Sequence, residues 1–125
     1  MRKILVVDDS EVVRTQLKSA LTEKGFAVDE AEDGLQGLNT LIQKPDIDLV
    51  ICDVNMPEMD GLTMCEEKFK NPEISKIPVF MLTTQHGKDL KARGKENGVV
   101  AWIIKPFNPD SIVNGINAYL AKMGK

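Results

Sequence analysis

Residues 48–61 read DLVICDVNMPEMDG. Four consecutive apolar residues, Leu49, Val50, Ile51 and Cys52, end on a carboxylate, Asp53, and the chain then turns through Pro57 to Gly61. An apolar run without alternation marks a strand buried on both faces, as in a parallel sheet covered by helices. A carboxylate at the edge of such a strand is costly unless something nearby uses its charge.

Similar apolar runs stand at residues 4–7, 79–82 and 101–104, and a fifth strand candidate is Ala27–Ala31. That one carries Asp29 and Glu30 and reads as an edge strand. Helical spacing fills the gaps. Val13, Leu17, Ala20 and Leu21 form one stripe, stopped by Gly25, and Leu38, Leu41 and Ile42 form a second, ended by Pro45. Leu62, Cys65, Glu66 and Phe69 mark a third, ended by Asn71-Pro72. The clearest has Asn108 as N-cap and Pro109 at the first helical position, then Ile112, Ile116, Tyr119, Leu120 and Met123. The segment 88–97 is a weak helix, with Leu90 and Ala92 as its few apolar residues and Gly94 in its middle. Five βα units in 125 residues predict one α/β domain over 1–125, a doubly wound, five-stranded parallel sheet with five helices. Ligands in such folds sit outside the carboxyl ends of the strands.

The polar residues after those ends are Asp8 and Asp9, Asp53, Thr83 and Thr84, and Lys105 followed by Pro106. Three carboxylates gathered there repel by about 3 kcal/mol per pair at roughly 6 Å and an effective dielectric near 20. Lys105 offers one positive charge, too little for three acids. An all-oxygen cluster without His or Cys suits a hard divalent ion, Mg²⁺ above Zn²⁺. Such an ion commonly shares its shell with phosphate, so Asp53 is expected to be a nucleophile toward a phosphoryl group. Thr83 and Lys105 would then neutralise the oxygens in transfer.

Composition excludes other classes. The formal net charge of −3 argues against a nucleic-acid footprint, and 42% apolar with 28% charged residues is ordinary for a globular domain. No apolar run approaches the ~18 residues of a membrane span, and Asp8-Asp9 interrupts the short N-terminal one, so neither membrane insertion nor a signal peptide is expected. A cytoplasmic protein is the simplest expectation, and a monomer is expected. Cys52 and Cys65 lack metal or disulfide spacing and are expected to be small core hydrophobes.

The pieces ILVVDDS, LVICDVNMPEMDGL, PVFMLTT and WIIKPF together resemble the receiver domain of two-component response regulators, most closely the stand-alone chemotaxis (CheY) type, along the whole chain. The resemblance implies a flavodoxin-like sheet of order 2-1-3-4-5. It implies that Asp9 and Asp53 ligate Mg²⁺ through carboxylates, Asn55 through its backbone carbonyl, and Asp8 largely through water. Asp53 would accept a phosphoryl group from a phosphohistidine of a partner histidine kinase. Lys105 would pair with the phosphate, and its bond to Pro106 would be cis. Thr83 would couple to an aromatic switch, Trp102, shifting populations between two states. Asn55 and Gln85 would border the hydrolytic water and tune the lifetime of the phosphate.

Two positions depart from the pattern. Trp102 stands where Tyr is usual, and Thr84 where a smaller residue is usual, so Thr84 is expected to restrict inward rotation of the indole. His86 reads as a surface residue. Output is expected through protein contact at the face of the fourth helix, fifth strand and fifth helix. The partner would be a flagellar motor switch protein or, alternatively, a histidine phosphotransfer protein. Other classes fit less well. A haloacid dehalogenase-type phosphohydrolase places an acid two residues after its nucleophile, where this chain has Asn55. A Ca²⁺ loop needs Gly where Glu58 stands, and no GxGxxG follows the first strand. A phosphate-independent interaction domain would have no use for Asp9, Asp53 and Lys105 together.

Overall fold

The structure, a computed structural model, describes residues 1–84 and 88–124, the side chains of 88–90 apart. Strands and helices alternate: β1 Lys3–Val7, α1 Glu11–Glu23, β2 Ala27–Ala31, α2 Gly34–Gln43, β3 Leu49–Asp53, α3 Gly61–Phe69, β4 Val79–Thr83, α4 Lys88–Glu96, β5 Val99–Ile104 and α5 Pro109–Lys122. All pairings are parallel, and the sheet order is β2-β1-β3-β4-β5. The doubly wound five-stranded sheet with five helices is thus the observed fold, in the order the resemblance implied.

Two apolar layers sandwich the sheet. On one face Leu41 of α2 and Leu62, Met64 and Cys65 of α3 pack on Leu5, Val7, Val50, Cys52 and Met81. On the other, Leu17 and Leu21 of α1 and Ile112, Val113, Ile116 and Leu120 of α5 pack on Ile4, Val6, Leu49, Ile51 and Leu82. Strands β3 and β4 are buried along their whole length, which is why their sequences do not alternate. Four helices start on side-chain caps. Ser10, Asp33, Asp60 and Asn108 each accept a backbone N–H of the first turn, satisfying a donor the helix itself cannot.

Several expectations shift. The apolar run at the fifth strand belongs to the second edge of the sheet, and most of it is only partly buried. It also starts two residues earlier, because a register shift leaves Val100 unpaired between Val99 and Ala101. Asp53 and Thr83 are the last residues of their strands and not the first beyond them. In α3 the expected core residue Phe69 is 54% exposed, whereas Lys68 is fully buried. Ile42 and Met123 are likewise exposed, and Val113 takes a core place. Cys52 and Cys65 are buried free thiols as expected. Burial pushes the Cys65 thiol up to about 12 and raises that of Cys52 well above its ordinary value, so both stay protonated.

Candidate functional site

The sheet order puts the site where it is. β1 lies between β2 and β3, and the chain leaves β1 toward one side and β3 toward the other, opening a crevice at their carboxyl ends. Val7 pairs with Cys52, Asp53 with Leu82, and Thr83 with Ile104. The ladder therefore aligns Asp8, Asp53, Thr83 and Lys105 along one rim, although 97 residues separate Asp8 from Lys105. The cis peptide bond Lys105–Pro106 follows the last strand.

Carboxylate oxygens of Asp8, Asp9 and Asp53 lie within 4.8 Å of one another. Asp8 and Asp53 are buried and Asp9 is exposed, so the cluster opens to solvent on the Asp9 side. Lys105 Nζ reaches both buried acids, at 3.2 Å from Asp8 Oδ2 and 3.4 Å from Asp53 Oδ1. Burial raises the pKa of Asp53, Asp8 raises it further, and Lys105 counteracts only in part. Burial works against the charge of Lys105, but Asp53 and Asp8 outweigh it, and its pKa rises. One ammonium does not balance the three acids. The donor set is all oxygen and partly open, which fits a Mg²⁺ that keeps waters; Asp8, Asp9 and Asp53 are the residues that could hold it.

Asp8 is held from behind. Asp8 Oδ1 accepts the Ser10 N–H at 2.9 Å, and the Asp8 N–H donates to Ala31 O at 3.1 Å. Arg14, buried on α1, donates Nη1–H to the Asp8 carbonyl at 2.6 Å and sets Nε 3.4 Å from Glu30. It braces the loop that carries both acids. The turn after Asp53 is compressed. A Cβ on Gly61 would lie 2.2 Å from Asp53 O, and one on Gly34 would lie 2.4 Å from Met59 O. Glu58 adopts a positive φ of 64° within this turn.

Of the remaining expected residues, Thr83 is buried at the end of β4, and its carbonyl accepts the Lys105 N–H at 2.9 Å. Asn55 and Thr84 are exposed in the loops that follow β3 and β4. Trp102 is half-buried against the face that carries α3, diagonal to Thr83 across the β4–β5 ladder. Gln85 and His86 lie outside the described residues. Arg14, Gly34 and Gly61 were not singled out from sequence. Arg14 reaches Asp8 only through the turn between β1 and α1, and the close approaches of the glycines are made by backbone from other elements.

The model of the response regulator receiver domain matches residues 4–117. This chain belongs to that family. The receiver is 35% identical to the chemotaxis protein CheY1 of Helicobacter pylori, over 94% of this chain and 96% of that one. Among solved structures it resembles CheY4 of Vibrio cholerae, with a TM-score of 0.86, 35% identity and coverage of 94% and 98%. It also resembles a chain of the CheX–CheY–BeF3–Mg²⁺ complex of Borrelia burgdorferi, with a TM-score of 0.86, 26% identity and coverage of 95% and 89%. The receiver is therefore a CheY-type signalling domain of two-component systems, not a metabolic enzyme. Among the described residues, no helix is long and apolar enough to cross a membrane.

Proposed function

We propose that this receiver accepts a phosphoryl group on Asp53 from a phosphohistidine of a partner kinase, in a Mg²⁺-dependent reaction, and passes the signal to a protein of the chemotaxis apparatus. The observation that carries the proposal is the buried Asp53 carboxylate, 3.4 Å from Lys105 and clustered with Asp8 and Asp9. The kinship with chemotaxis proteins supports the pathway, and the BeF3 and Mg²⁺ of the Borrelia complex support the chemistry.

Asp53 would attack phosphorus through a carboxylate oxygen. The P–N bond to the imidazole breaks, and its electron pair returns to the ring nitrogen. Lys105 would turn from Asp53 to the incoming phosphoryl oxygens, a charge-assisted donor at the place where negative charge gathers. Thr83 would offer its hydroxyl to the same group. Asp8, Asp9 and Asp53, with the Asn55 carbonyl, would hold the metal, which supplies charge neutralisation when bound. Asn55 and Gln85 would border the path of the hydrolytic water. Neither is acidic, so neither acts as a strong base there.

Incubation with acetyl phosphate and Mg²⁺, read by intact mass, is expected to add one phosphoryl group to the parent and none to Asp53→Asn. Equal labelling of the two, or labelling that survives removal of Mg²⁺ by chelation, overturns the proposal. Binding of the labelled and unlabelled receiver to a motor switch protein, with a histidine phosphotransfer protein as the competing target, then decides the output. Preference of the labelled form for the motor protein is expected.

A further inference from the structure

Gly94 lies in the last turn of α4, inside the helix, where helix propensity alone favours almost any other residue. Packing supplies the reason for it. A Cβ at Gly94 would stand 2.6 Å from Cζ2 of Trp102 and 3.1 Å from Cγ2 of Val99. Cζ2 belongs to the six-membered ring of the indole, the part of tryptophan that extends it beyond a single aromatic ring. Next to this contact, Arg93 clamps α4 to α3 through a two-pronged ion pair with Glu66, at 3.0 and 2.8 Å. The indole also borders an open groove of about 520 Å³ whose walls include Lys91, Lys95 and Val100.

We propose that Gly94 is a positioning residue for the switch. It forms a notch in α4 that accepts the outer ring of Trp102 and so holds the aromatic, and with it the helix, in the conformation described. Trp102 and α4 then move together, because the indole cannot leave the notch without freeing the helix surface it covers. The open groove gives the ring somewhere to go. The inference rests on the switching role of Trp102 proposed above and adds a residue to it. In this conformation the indole packs beside Gly94, on the neighbouring helix, and Thr84 is exposed.

The test has a packing arm that needs no phosphorylation. In Gly94→Ala the emission of Trp102, the only tryptophan, is expected to move to the red, and its iodide quenching constant to rise at least about twofold, since a methyl in the notch overpacks the contact. A folded Gly94→Ala with unchanged emission and quenching overturns the proposal. A double-mutant cycle guards against poor folding. Gly94→Ala is expected to lower the folding equilibrium constant at least about fivefold in the parent and to raise or preserve it in Trp102→Tyr. An equal effect in both backgrounds, or a double variant that also fails to fold, overturns it.

The functional arm follows labelling of Asp53 by acetyl phosphate. Gly94→Ala is expected to change the labelling rate roughly threefold or more relative to the parent, and not to change it in the Trp102→Tyr background. A parent that takes no label refutes the proposed function and leaves the packing arm to judge the notch. A parent that labels, with Gly94→Ala labelling at the same rate, refutes the notch as a switch element.

Discussion

At the scale of single residues, Asp53 is held where its charge is least comfortable. It is buried beside Asp8 and only partly relieved by Lys105. The folded state binds the Asp53 proton more tightly than the unfolded chain does. The contribution of this group to metal-free stability therefore falls as pH rises through its raised pKa, and is regained as pH drops toward the ordinary carboxylate range. Asp53→Asn removes both the buried charge and its repulsion with Asp8. It is expected to stabilise the metal-free protein by about 1 kcal/mol, a rise in Tm of roughly 3–5 °C, while weakening Mg²⁺ binding. Thermal unfolding with EDTA and a Mg²⁺ titration check the two halves; a lower Tm would show that Asp53 is a net stabiliser. Glycines separate equally sharply. Gly61→Ala drives a methyl against the carbonyl of Asp53, 2.2 Å away, and is expected to cost about 3 kcal/mol or more. Gly115→Ala, whose methyl would meet only Phe80 Cε2 at an ordinary 3.7 Å, is expected to add about 0.5–1 kcal/mol. Urea midpoints of the two variants should move in opposite directions.

Among the elements, α4 and α5 contrast most. α5 has a side-chain cap, proline in its first turn and four buried apolar residues. α4 spans nine residues, and Lys91, Ala92, Arg93, Lys95 and Glu96 are all exposed. Its docking to α3 includes the solvent-facing Arg93–Glu66 pair, which water and salt screen. Amides of α4 are therefore expected to exchange hydrogen faster than those of α5, by roughly tenfold or more. Equal protection factors in native-state exchange would contradict this. The weakness of α4 was legible in its composition. The burial of Lys68 on α3 was not. Its stem lies among apolar neighbours and its ammonium donates to Ser75 O at 3.1 Å, a partner supplied by a loop. Burial lowers its pKa, and among the described residues no carboxylate pairs with it. Phe69 next to it took the apolar place in the sequence pattern and points outward instead. A stripe read at 3.6 residues per turn has an error of about one position, and a lysine stem can fill a core site as well as a hydrocarbon side chain can.

For the molecule as a whole, a metal bound at the acidic rim would add to stability. A ligand that binds only the folded state adds about 1.4 kcal/mol when present at ten times its dissociation constant. Mg²⁺ is thus expected to raise the Tm of the parent by several degrees and that of Asp9→Asn by much less, as differential scanning fluorimetry can show. The gain should shrink as pH falls toward the ordinary carboxylate range, because Asp53, its pKa raised by burial and Asp8, takes up a proton in competition with the metal at a higher pH than an ordinary aspartate would.

Local order in the chain was enough to specify the alternation of strands and helices, the unbroken burial of β3 and β4, the start of α5 at Asn108 and the acids that end the strands. These depend on side-chain periodicity, backbone capping and residue type, all of which act within a few residues. The sheet order came from the family pattern, since parallel runs do not by themselves say which strands lie at the edges. Tertiary structure alone left most of β5 half-buried, put Arg14 behind Asp8, hid Lys68 and set the ring of Trp102 over Gly94. Each of these is a meeting of side chains or backbone from separate elements, and close packing between remote segments leaves no periodic mark on either one.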